Sequence, residues 1–188
     1  ELGNYLHVNE AYRQSDNKHV VVKTVFYDDV KPNSDSLQIL LGEFQLIASI
    51  KHPKCLELIA FTLTPIPKTV TPYMKNGTLY NAIMKKLNGE PDPNFTPTKM
   101  MCSIYGICST MKFLHDINIL NGSLISSNIY LDDNYDIRIA NFGLSHKINN
   151  IFPLYAAPDT YTDEYDDIYT NKIDVYTFGV LYMQYFTK

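Results

Sequence analysis

The sequence predicts an α+β fold in two lobes: a small lobe mostly of strands with one helix, then a larger, mostly helical lobe. Three observations carry this. β-branched residues fill His19 to Val25 near the start. A helical period follows at Leu37, Leu40, Leu41, Phe44 and Ile47. After two more strand-like runs, helical patterns dominate the second half.

The elements follow in order. Residues 1–30 read as strands, with Ser15-Asp16-Asn17 as a turn before the β-branched run. Residues 36–50 read as a helix. Apolar runs at Leu56–Leu63 and Thr69–Met74 read as strands, with Pro65 and Pro67 in the turn between them. Lys75-Asn76-Gly77 is a further turn, and Thr78 begins a short helix through Lys86. Asn88 to Pro97 is a polar loop. Residues 98–115 form a helix with Met101, Ile104, Cys108, Met111 and Leu114 on one face. Short strands follow at Ile129–Leu131 and Ile137–Ile139. Residues 141–170 are irregular, and an apolar helix begins near Val175. No repeat or low-complexity segment is visible.

Composition narrows the function classes. At 188 residues the chain can bury a core, and 45% hydrophobic with 19% charged residues fits a globular protein. A formal net charge of -4 gives no pull toward nucleic acid or an anionic membrane. The three cysteines, Cys55, Cys102 and Cys108, fit no zinc or redox spacing. Cys102 and Cys108 are expected as buried free thiols, and a reducing, cytoplasmic setting follows from the cysteine usage. No apolar run is long enough to span a bilayer. Residue 1 is Glu in mid-pattern, so the chain is expected to begin inside a domain.

Eight segments in order resemble the protein kinase signature set. They are VVVK at 20–23, Glu43 on the next helix, IKHPKCLEL at 50–58 and TPYMKNGTL at 71–79. Further on come FLHDINILNGSLISSNIYLD at 113–132, NFG at 141–143, AAPD at 156–159 and KIDVYTFGVL at 172–181. The style is similar to tyrosine-kinase-like serine/threonine kinases. The resemblance covers essentially the whole chain and implies an N-lobe with hinge at 1–74 and a partial C-lobe at 75–188. The family's last helices are missing after the anchoring helix, so a piece of a longer protein is expected. The resemblance makes Lys23 the phosphate-binding lysine and Glu43 its ion-pair partner. Pro72 and Met74 become hinge residues and Asn128 a metal ligand. Asn141, Phe142 and Gly143 stand for Asp-Phe-Gly, and Asp174 is the anchoring aspartate.

The residues that transfer phosphate are altered. The catalytic carboxylate is Ser123, and a neutral hydroxyl does not accept the proton in the same way. His-Arg-Asp has become Asn121-Gly122-Ser123, and the catalytic-loop lysine is Ile125. The metal-binding Asp is Asn141, whose amide is a weaker ligand for a hard cation. The glycine-rich loop should lie within residues 2–13, where only Gly3 is a glycine. Val21 and Tyr130 add bulk at the roof and floor of the adenine slot, and overpacking costs about 1–3 kcal/mol. ATP is therefore expected to bind weakly or not at all, with Mg2+ unlikely and no other cofactor.

The implied function is a pseudokinase: a kinase fold without transfer activity that binds another protein, an active kinase being one such partner. A weak unconventional kinase and a nucleotide-binding switch without catalysis are the alternatives. Lys23 and Glu43 can be read as holding an active-like pose or as a plain structural bridge. Asp132, Asp133 and Asp136 read as a solvated turn. His115 and His146 receive no role. Fifteen residues, 142–156, separate Asn141 from Ala157, and none from 146 to 154 is Ser, Thr or Tyr, which implies a fixed loop. The acidic run DTYTDEYDDI reads as a solvated loop, a docking patch or a tyrosine phosphorylation site.

Overall fold

The computed structural model describes residues 5–26, 35–141 and 171–186. Phe142, Gly143, His146, Ala157 and the acidic run lie outside them. The chain has a two-lobed kinase-like fold, with a small strand-rich first lobe carrying one helix and a helical second lobe. It divides into two compact units, Glu1–Lys51 with Leu56–Tyr73, and His52–Cys55 with Met74–Lys188.

In the first unit, β1 (Tyr5–Tyr12) and β2 (His19–Phe26) pair antiparallel in unbroken register from Tyr5↔Phe26 to Tyr12↔His19. Asn17, at φ 54°, turns the chain between them, and Arg13 pairs with Asp16 across the turn. Asn tolerates this left-handed backbone because its short side chain bonds locally. With β3 (Ala60–Thr62) and β4 (Lys68–Pro72) the sheet order is β1-β2-β4-β3. The apolar run at 56–63 yields only a three-residue strand. Leu56 and Leu58 bury their side chains outside the ladder. Helix α1 (Asp35–Ser49) packs Leu40 and Phe44 on Leu58, with Ile47 and Phe61 alongside. The Phe44 and Phe61 rings meet edge to face at 5.3 Å, a favoured aromatic geometry.

The second unit is built around a hairpin. β5 (Ile129–Leu131) and β6 (Ile137–Ile139) pair antiparallel, and their four apolar side chains are at most 1% exposed. The 52–55 segment joins this hairpin. Ile139 N–H donates to the Lys54 carbonyl at 2.7 Å, and Cys55 forms a parallel bridge with Ile139. Helix α2 (Leu79–Leu87) starts where the Thr78 hydroxyl accepts from Asn81 N–H at 3.2 Å, satisfying an orphan donor of the first turn. Lys85 and Lys86 lie in its last turn, where cations suit the dipole. Helix α3 (Pro97–Asp116) is capped the same way by Thr96, with Pro97 in the first turn. Helix α4 (Lys172–Phe186) buries Ile173, Asp174, Thr177, Leu181 and Tyr185.

Two sequence expectations need correction here. The buried face of α3 is Ser103, Gly106, Ile107, Thr110, Met111 and Leu114, while Met101 is 58% exposed and Cys108 is exposed. The cause is close packing. A Cβ on Gly106 would come 3.1 Å from Ile137 Cδ1, so the helix meets the hairpin through its smallest residue. Polar neighbours are satisfied internally: Thr110 donates to the Gly106 carbonyl at 2.8 Å, and Ser103 bonds the Tyr185 hydroxyl at 2.8 Å. The thiols are also redistributed. Cys102 and Cys108 are exposed, and Cys55 is the buried one, its pKa pushed up to about 12 by desolvation.

Candidate functional site: the catalytic-loop cluster

The residues implied to bind nucleotide fall in both units. In the first, Val21 and Lys23 lie on β2, half-buried, opposite Thr71 and Thr69 of β4. Glu43 lies on α1 and Pro72 ends β4, where its missing N–H falls at the strand terminus. In the second, the Met74 carbonyl accepts from Gly77 N–H at 3.0 Å in the turn before α2. Tyr130 is the middle residue of β5, half-buried, beside the Thr78 bridge.

The catalytic-loop residues do come together, all within the second unit. A 3-10 turn at Ser126–Asn128 leads into β5. This turn aims Asn128 back at the loop, where its Nδ2 donates to the Ser123 carbonyl at 2.9 Å and to Ser123 Oγ at 2.7 Å. β6 returns the chain to the same place. Ala140 N–H donates to the Asn128 carbonyl at 2.9 Å, and Asn141 Nδ2 donates to Asn128 Oδ1 at 2.8 Å. Asn141 itself holds φ 59°. Ser123, Asn128 and Asn141 thus form a bonded chain of neutral groups.

That chain limits the chemistry. A serine hydroxyl is not a base near neutral pH, and the chain of groups contains no carboxylate. A magnesium site needs hard, preferably charged oxygens. Here both amides are neutral and Asn128 Oδ1 already accepts one hydrogen bond, from Asn141, so these residues are a poor fit for that ion. Among the described residues, no group of three or more His, Cys, Asp and Glu side chains could hold a metal ion.

Beneath the chain lies the carboxylate of Asp174, 2% exposed. Oδ2 accepts from Asn121 N–H at 2.9 Å and meets His115 Nε2 at 2.8 Å. Oδ1 accepts from Gly122 N–H at 2.9 Å. Gly122, at φ 67°, supplies the left-handed turn that points both amides at one carboxylate. Sequence reasoning gave His115 no partner. The helix's own pattern did not single it out, because α3 also carries Thr98, Lys99, Ser109, Lys112 and Asp116. Asn121 is 1% exposed, and its Oδ1 accepts from Ser123 N–H at 3.0 Å. Its Nδ2 has no partner among the described residues.

The family model for protein tyrosine and serine/threonine kinases matches residues 2–188. The chain is 29% identical to tyrosine-protein kinase receptor TYRO3 of Danio rerio, over 99% of this chain and 23% of the receptor. It is 27% identical to serine/threonine-protein kinase SIK1 of Mus musculus, over 95% of this chain and 23% of that protein. It is also 29% identical to leaf rust 10 disease-resistance locus receptor-like protein kinase-like 1.4 of Arabidopsis thaliana, over 88% and 26%. The chain spans about a quarter of the length of each. No helix among the described residues is long and apolar enough to cross a membrane.

Proposed function

Because the chain belongs to the protein tyrosine and serine/threonine kinase family, its altered catalytic loop is the feature to explain, and we propose that it is a pseudokinase acting through protein binding. The carrying observation is the Ser123–Asn128–Asn141 chain. Phosphoryl transfer depends on positioning and on charge neutralisation by metal. Here the base and metal positions carry neutral groups that bond one another. The Asp174 anchor meanwhile keeps the loop's backbone in place. A maintained scaffold beside a neutral site suits a protein selected for its surfaces. The partner class is another signalling protein, an active kinase being the first to test.

The test is phosphate incorporation by the full-length protein, with labelled ATP and with or without Mg2+ or Mn2+, beside Lys23→Ala. No incorporation above the variant is expected. Metal-dependent incorporation lost in the variant would overturn the reading in favour of an unconventional kinase. The retained Lys23 and Glu43 also favour a second reading, a nucleotide-responsive switch without catalysis. Thermal shift separates the two, since a ligand that binds the native state raises its melting temperature. Stabilisation by ATP without metal supports the switch, and no shift supports the plain scaffold.

A further inference from the structure

Tyr135, at the tip of the β5–β6 hairpin, holds φ 60°. A bulky residue enters that region only against a steric penalty, and an outlier of this kind is a pointer to function. Two contacts hold it there. Its hydroxyl donates to Asp92 Oδ2 at 2.7 Å, and its ring stacks on Phe95 with centroids 6.1 Å apart. Asp92 is the centre of the turn it belongs to. Its Oδ1 accepts from Asn94 N–H at 2.9 Å, and its carbonyl accepts from Phe95 N–H at 3.1 Å. The next residue, Thr96, caps α3. One phenol therefore ties the segment that leads into α3 to the hairpin.

We propose that Tyr135 is a phosphorylation site, modified in trans by a protein tyrosine kinase, and that its modification releases the 88–96 segment. The ring is half-buried at a turn, within reach of an enzyme. Exposed Asp133 lies two residues before it, an acidic group that suits a basic substrate cleft. In the reaction the phenolic oxygen bonds to the γ-phosphorus of the modifying kinase's nucleoside triphosphate. The bond from that phosphorus to the bridging oxygen breaks, the nucleoside diphosphate leaves, and the phenolic proton passes to the kinase's base. The donor to Asp92 is then gone, and a phosphate of nearly two negative charges stands against a carboxylate. The neighbouring cations are already engaged. Arg138 pairs with Asp132, and Lys54 and Lys99 with Asp136. Lys85 acts on Asp92 itself. The pair is a donor–acceptor one at present: the Tyr135 hydroxyl lowers the Asp92 pKa, and the Asp92 carboxylate raises that of Tyr135.

The phosphate comes from another enzyme, so the proposal does not depend on whether this chain transfers phosphate. The full-length protein carrying Lys23→Ala is incubated with a purified receptor-type tyrosine kinase domain, ATP and Mg2+. Modified residues are mapped by mass spectrometry, and hydrogen exchange is followed. Phosphate at Tyr135 is expected, with exchange over residues 88–96 about tenfold faster and the body of α3 unchanged. Tyr135→Phe, which keeps the ring, should lose that phosphate and show an intermediate rate. Absence of phosphate at Tyr135 overturns the proposal, whether or not other tyrosines are modified. So does phosphate there with exchange unchanged or slower, the result expected if Lys85 captured the group.

Discussion

Asp174 holds the Asn121–Gly122 turn from outside it. Its two oxygens serve two backbone N–H groups and an imidazole in a buried setting. Asp174→Ala would strand the two backbone donors and the imidazole, and each buried donor left unsatisfied costs about 1–3 kcal/mol. Asp174→Asn keeps the volume and one acceptor oxygen, so its loss should be smaller. Urea unfolding of the full-length protein would rank the two, and equal stability of Asp174→Ala and wild type would refute the anchoring role. Asn141→Asp works in the opposite direction. It places a carboxylate beside Asn128 on a backbone that Asp also tolerates at φ 59°. Binding of Mn2+, read from paramagnetic broadening, should tighten by about tenfold or more over wild type. No change would mean that more than the missing charge excludes the ion. The resemblance marked Ser123 and Asn141 as altered and Asn128 as retained, one by one. Their mutual bonds were not legible, because Asn141 reaches Asn128 only after the β5–β6 hairpin folds the chain back.

Helix α3 shows what periodicity reads and what it misses. Its existence was legible from a long apolar period over residues 98–115, whereas its start lay within the stretch that reads as loop: Thr96 caps the helix and Pro97 is its first residue. Its buried face was not legible, because counting apolar side chains passes over Gly106, Ser103 and Thr110. These residues are buried because the hairpin approaches closely, a tertiary fact that the helix's own pattern does not carry. Gly106→Val is the direct probe. The added branches would press on Ile137, whose Cδ1 and Cγ1 lie 3.1 and 3.2 Å from the point where a Cβ at residue 106 would sit. Overpacking of this kind costs about 1–3 kcal/mol. Adding Ile137→Ala should recover part of the loss by making room, a coupling that a double-mutant cycle measures. Simple additivity would mean that the two side chains do not share the contact. The strands of the first unit divide similarly. β2 was legible from its β-branched run, whereas β3 came out shorter than its apolar segment because Leu56 and Leu58 serve the core without joining the ladder.

On the scale of the whole molecule, the chain crosses between its two units more than once. His52–Cys55 groups with the second unit, although the residues on both sides of it group with the first. Its ties are specific: His52 stacks on Phe113 at 4.6 Å, and the Lys54 carbonyl and Cys55 both engage Ile139. Nothing in the sequence signals this excursion, because a four-residue segment carries no period of its own. The cysteines make it measurable. Cys102 and Cys108 are exposed on α3, and desolvation pushes the Cys108 thiol pKa up. Cys55 is 6% exposed with a pKa of about 12, so at pH 8 only about one part in ten thousand is thiolate. A thiol reagent at that pH should therefore label Cys102 first, Cys108 more slowly, and Cys55 only when its surroundings open. If the segment is integral to the second unit, labelling of Cys55 should rise with denaturant in parallel with amide exchange of Ile129–Leu131 and Ile137–Ile139. Labelling that runs well ahead of those strands would mean that residues 52–55 detach by local opening, and that the excursion is a surface contact rather than part of the second core.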